Sequence, residues 1–172
     1  NLERRVEERT RELQQRLQEL EARDRLLRHL LSTHEPVATL GLAVQLALDL
    51  CSCDAGALYM PDAGGGTKLW AAVGFLETGA PVPAEDLHEI GLEETAEVPQ
   101  SLQEALKNRA PVWVHSPGTV RQGFGIHSFG FLPVYRDEEV IALLEVDRKG
   151  KDVLVGAADL EALQGFLPYV AM

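Results

Sequence analysis

Few residues in this chain have types and spacings that could do chemistry. Cys51 and Cys53 form a C-x-C, which could hold a soft metal or react with an oxidant. Two thiols without a neighbouring histidine or further cysteine fall short of a zinc set, and free cysteine commonly packs as a small apolar residue. We read the pair as core packing, with metal binding and oxidant sensing as alternatives. GGGTK at 64–68 is rich in glycine and ends in lysine, yet it lacks P-loop spacing and falls where a turn between strands is expected, so it reads as turn. His115 and His127 flank the loop 116–126. Imidazoles there could hold a haem iron or an anion; the competing reading leaves both as partly exposed residues at the loop edges. His29, His34 and His88 fall in helix or acidic loop and read as solvated. Neither a nucleophile beside a base nor a phosphate loop with metal-binding acids has a recognisable signature, so the fragment is expected to be non-catalytic.

These groups must be positioned by one ordinary domain plus an accessory element, which is what 172 residues allow. The formal charge of −11 is unevenly spread: residues 1–35 hold eight acids and eight arginines, and the remainder nineteen acids against eight bases. An acidic body is poorly suited to a phosphate backbone, so nucleic acid is not expected as a partner. Two cysteines do not make a secreted disulfide framework, and no signal peptide opens the chain; both point to a reducing, cytoplasmic setting. The most apolar stretch, VATLGLAVQLALDL at 37–50, is shorter than a span of about 20 residues and is broken by Gln45 and Asp49, so direct membrane insertion is not expected. Lacking an initiator methionine and ending at FLPYVAM inside an expected helix, the sequence reads as a piece of a longer chain.

Val6, Leu13, Leu20 and Leu27 recur every seven residues, with Thr10, Leu17, Asp24 and Leu31 at the complementary seam position. This heptad predicts a helix over 1–35 that pairs as a dimeric coiled coil. Glu-to-Arg steps of four residues (Glu7/Arg11, Glu12/Arg16, Glu19/Arg23, Glu21/Arg25) should lace its outer faces. In a parallel pair Arg16 would face Glu21 of the partner, which favours pairing, whereas Arg23 would face Arg28, which does not. His34-Glu35-Pro36 should end the rod. A buried helix is expected near 36–52, strands at 55–62 and 68–75, a loop with a helical turn over 76–98, and an amphipathic helix at 99–110. A strand at 111–116 follows, then a glycine-bounded loop to 125, a hairpin over 128–149 turning at Arg136 to Glu139, and a last helix at 157–172. The expected fold is α+β: an antiparallel sheet of five or six strands with helices on its faces, behind a long N-terminal helix.

The order and local wording of LDLCSCDAGALYMPD, LWAAVGF, ALKNRAPVWV and GFLPVYRDEEVIALLEV over 37–172 resemble the GAF domain, a small-molecule sensing module. RVEERTREL is similar to the signalling helix that joins modules of bacterial sensor kinases. The resemblance implies a signalling helix at 1–35, a GAF-like sensor domain at 36–172, and a ligand pocket roofed by the segment around 116–126. It also implies a homodimer, an unidentified small-molecule ligand, and a covalently linked output domain, a histidine kinase of a two-component system. Bilin-binding members attach their chromophore through a later cysteine; this chain has none after Cys53, so bilin is not expected. The residue set of cyclic-nucleotide binders does not map here either, since Asn108 and Asp147 alone do not make it. Haem is kept as an alternative, and no cofactor is required.

Within that frame the candidate pocket comprises Trp113, His115, Arg121 and Gln122, together with Phe124, His127, Phe129 and Phe131. Strand alternation puts Phe129 and Phe131 on one face, and Arg121 and Gln122 are among the few groups able to grip an anionic ligand. The leading expectation is a sensor whose end helices carry the change along a dimer. The seam weakened at Thr10 and Asp24 suits a coil that switches. The alternatives are a structural dimerisation module with a filled core, and a haem- or redox-sensing domain.

Overall fold

The computed structural model describes residues 1–32, 36–61, 67–76, 78–92, 97–115 and 118–171. The expected stop at His34 and Glu35 and the glycines of 64–66 lie outside them. Helix α1 spans Leu2–Ser32 and α2 spans Pro36–Cys51; strands β1 (Ala55–Pro61) and β2 (Thr67–Val73) form the first hairpin. A 3₁₀ turn at Ala84–Ile90 leads to α3 (Glu97–Asn108), β3 (Val112–Val114) and a short α4 (Thr119–Gly123). Strands β4 (Ser128–Arg136) and β5 (Glu139–Arg148) make the second hairpin, followed by α5 (Ala157–Leu163) and α6 (Leu167–Val170).

The five strands form one antiparallel sheet in the order β2-β1-β5-β4-β3. Its centre is β5, which is covered on both faces and buries Leu144 and Val146 on one and Leu143, Glu145 and Asp147 on the other. Leu58, Val134, Leu144 and Val146 point to a core shared with α1, α2, α5 and α6. Tyr59, Phe129, Phe131 and Leu143 point to a second core under α3 and the 3₁₀ turn, built with Leu87, Leu102 and Ile126. Two glycines let the layers close. A Cβ on Gly56 would lie 2.9 Å from Leu48 Cδ2, so α2 can rest directly on β1. At Gly130 a Cβ would lie 2.3 Å from the Trp113 ring, which lies across the bare backbone of β4.

Two expectations need correction. The last helix is broken into α5 and α6, because Pro168 has no N–H for the carbonyl of Gln164 and its ring would clash with it. The glycine-bounded loop contains α4, whose Arg121 carbonyl accepts from Phe124 N at 3.1 Å and Ile126 N at 3.0 Å. Helix α1 forms as the heptad predicts, but the ion pairs described on it are Arg4–Glu8, Arg9–Glu12, Arg16–Glu19 and Arg23–Asp24 rather than the expected steps. Its Ala22 and Leu26 are buried against the domain. Val6, Leu13 and Leu17 remain 58%, 70% and 56% exposed. At 3.6 residues per turn these two sets lie on nearly opposite sides of the helix. Thr10 and Asp24 are exposed, Leu20 and Leu27 are half-buried, and the side chain of Leu31 lies outside the described residues.

Candidate functional site

The second core is not wholly apolar. Along β5, Leu143, Glu145 and Asp147 alternate onto the face under α4, and Glu145 and Asp147 are fully buried there. Helix α4 sends Arg121 down from the roof to meet them, leaving it 2% exposed. Arg121 Nε donates to Glu145 Oε2 at 3.1 Å, and a second guanidinium nitrogen pairs with Glu145 Oε1. Tyr59 Oη, from β1, donates to Glu145 Oε1 at 2.9 Å and accepts from Arg121 Nη2 at 3.2 Å. Arg121 Nη1 donates to the Leu92 carbonyl at 3.2 Å, and the guanidinium stacks 4.5 Å from the Phe129 ring centre. Four elements thus meet at one charge pair.

Electrostatics divide the two acids. Burial works against charge on Glu145, but the Arg121 guanidinium and the hydrogen bonds to its carboxylate outweigh it and hold its pKa below the ordinary value. Asp147 has no hydrogen-bond partner on either carboxylate oxygen among the described residues. Burial first, and then the Glu145 charge, push its pKa well above the ordinary value, which favours its protonated form. Tyr59 is pushed up by burial and by Glu145. The arrangement sets an acid whose protonated form is favoured beside a buried carboxylate, guanidinium and phenol. Arg121, Glu145 and Tyr59 satisfy one another in this buried space, and the group lacks a poised nucleophile.

The expected site residues separate. Arg121, Phe129 and Phe131 share this core, with Phe129 and Phe131 edge to face at 5.6 Å and Tyr59 against Phe131 at 5.8 Å. Phe124 is half-buried beside them and packs edge to face on Phe75 at 5.2 Å. Gln122 is exposed on α4. Trp113 packs on the opposite core, because β3 turns Val112 and Val114 toward Phe129 and Phe131. His115 is exposed and bonds the Val155 carbonyl through Nε2 at 2.8 Å, and His127 Nδ1 bonds the Lys149 carbonyl at 2.6 Å. Sequence reasoning missed Tyr59, Glu145 and Asp147 as a group. The signal was two acids at alternate positions in an otherwise apolar strand, IALLEVD.

On the other face of the sheet a cavity of about 330 Å³ lies where α1, α2 and α6 converge, lined by residues including Leu26, Leu40, Met60, Trp70 and Tyr169. Among the described residues no helix is long and apolar enough to cross a membrane.

Comparison with known proteins follows the same lines. A comparison with curated protein sequences finds no match. Among solved structures, the chain is similar to the GAF domain of a protein described as a sensor histidine kinase from Pseudomonas syringae pv. tomato (TM-score 0.57, 22% identity, covering 99% of this chain and 90% of that one). It is also similar to the GAF domain of a phosphoenolpyruvate-protein phosphotransferase from Coxiella burnetii (TM-score 0.59, 14% identity, covering 90% and 91%). A third is the phycoerythrobilin-bound GAF domain of a cyanobacterial phytochrome (TM-score 0.59, 17% identity, covering 90% and 93%). At these identities the likenesses speak for the fold. The model of the GAF domain family matches residues 35–172, and the chain belongs to that family.

Proposed function

We propose that this is a non-catalytic sensory module: a small polar ligand enters between the sheet and the α3–α4 roof, engages the Arg121–Glu145–Tyr59–Asp147 group, and changes how the end helices are held. The observation that carries it is the buried polar group itself. An apolar set of the same volume is often as stable as a buried ion pair or more so, and Asp147 is buried with its carboxylate unpartnered among the described residues. The end helices are in contact with each other: the Arg23 guanidinium of α1 lies 5.6 Å from the Tyr169 ring centre of α6. The exposed seam of Val6, Leu13 and Leu17 would pair two copies, and a covalently linked histidine kinase would read the change. The bilin-bound neighbours do not extend to this chain, which has no cysteine after Cys53.

The filled packing of Phe129 and Phe131, both fully buried, favours a second reading, a dimerisation module without ligand. The test is the melting temperature of the purified chain against a panel of small metabolites, with an absorption spectrum and a native mass. A ligand that raises the melting temperature of the wild type and not of Asp147→Asn supports sensing. A colourless dimer that no metabolite shifts supports the second reading.

A further inference from the structure

The end of α2 brings together three groups that the polar network does not use. Cys51 is the last residue of α2, Ser52 takes a left-handed conformation (φ 57°), and Cys53 N returns to the Leu48 carbonyl at 3.1 Å. This is a helix cap with serine where glycine is usual. The cap turns both thiols to one side, where the two sulfurs and an Asp159 carboxylate oxygen all lie within 4.8 Å of one another. Arg148 closes the cluster: Nη2 donates to the Cys51 carbonyl at 2.9 Å, Nη1 donates to the Ser52 carbonyl at 3.2 Å, and the guanidinium pairs with Asp159.

We propose that Cys51 and Cys53 are a modification site, a dithiol that a hydroperoxide converts to an intrachain disulfide at the junction of α2 and α5. The geometry favours this over a metal. Asp159 already accepts from Gly156 N at 3.0 Å through Oδ2, and its Oδ1 takes Arg148, so a guanidinium occupies the carboxylate that a dication would need. The same guanidinium offsets the negative end of the α2 dipole, which would otherwise oppose a thiolate. The Cys51 thiol is lowered from the ordinary value by the hydrogen bond from Cys53, and Cys53 is raised by the same bond and by burial. The pair therefore gives up one proton ahead of the other.

Access sets the order of events. Cys51 is 6% exposed and Cys53 is half-buried, so the oxidant meets Cys53. The proton kept by the pair passes to Cys51 as the Cys53 thiolate attacks the peroxide. A sulfur–oxygen bond forms, the O–O bond breaks, and the departing alkoxide or hydroxide takes a proton from water. The Cys51 sulfur then attacks the sulfenic sulfur of Cys53; the S–S bond forms and the hydroxyl leaves with the Cys51 proton as water. In sum two thiols and one hydroperoxide give one disulfide, one alcohol or water, and one further water.

The chain carries only two cysteines, so intact mass reads the outcome directly. Reduced, chelator-washed protein is treated with hydrogen peroxide, unfolded, and labelled with N-ethylmaleimide. The expected result is a monomer lighter by two hydrogen atoms, with neither cysteine labelled until dithiothreitol is added. Two labelled thiols, a sulfinic acid on Cys53 beside a labelled Cys51, a cross-linked pair of chains, or stoichiometric zinc retained through the wash would each overturn the proposal. In Cys51→Ser, Cys53 should stop at the sulfenic acid and be trapped by dimedone. A cooperatively melting Cys51→Ser protein that gives no adduct also overturns it.

Discussion

Asp147 and Glu145 stand two residues apart on one strand face, and their pKa values move in opposite directions. Asp147 is raised, so below the ordinary carboxylate value of about 4 it is protonated in both folded and unfolded chains and its contribution is whole. As pH rises from there toward its folded value, the unfolded chain gives up the proton first and stability falls. Asp147→Asn should therefore raise the melting temperature at pH 7, with a gain that shrinks toward pH 4; scans at the two pH values check the sign. Glu145 is lowered, so its contribution is present above the ordinary value and is lost as pH falls through the folded one. Glu145→Gln leaves Arg121 buried against a neutral amide and should cost about 3–5 kcal/mol in urea unfolding at pH 7. The pair Arg121→Met with Glu145→Leu should recover much of that loss, since it removes both charges from a site that can pack apolar groups.

At the scale of elements, the β4–β5 hairpin turns on Asp137 and Glu138, with φ of 49° and 70°. This is the two-residue turn whose positive φ suits glycine. Glu138→Gly should add about 1 kcal/mol, read as a higher urea midpoint; the Glu138 carbonyl that accepts from Arg109 is kept. Helix α1 presents two apolar surfaces, one buried against the domain and one exposed. Leu26 on the domain side is 2% exposed, and Leu26→Ala should cost about 2–5 kcal/mol of domain stability. On the far side, Leu13→Glu with Leu17→Glu should leave domain melting within about 0.5 kcal/mol while converting the proposed dimer to a monomer by native mass. A dimer that survives this change would place the pairing surface elsewhere.

Across the whole molecule, two cores share one sheet but hold different contents. The core under α1, α2, α5 and α6 is apolar and touches both ends of the chain, whereas the core under α3 and α4 encloses the charged group. In the proposed sensor a ligand on one side acts on helices on the other through the shared sheet, whose central strand β5 carries both the helix-facing Leu144 and Val146 and the acids Glu145 and Asp147. The Cys51–Cys53 cluster sits at the end of the same strand, held by Arg148.

Much of this was legible in the sequence because it depends on local pattern. The heptad predicted α1, alternation predicted the two hairpins, and the order of those pieces pointed to the family whose model matches residues 35–172. Proline chemistry at Pro168 was legible in principle, yet the apolar run around it read as one helix. The site was less so. Arg121 read as a pocket grip for an anionic ligand because its partners are far along the chain, at Tyr59, Leu92 and Glu145. Trp113 fell on the other face because a three-residue strand does not fix which of its sides is inward; pairing with Gly130 does. Residue spacing determined which elements form and which face of each is apolar. Only the stacking of α4 on β5 decided that an arginine and two acids share one dry space, where low dielectric makes their pairing matter.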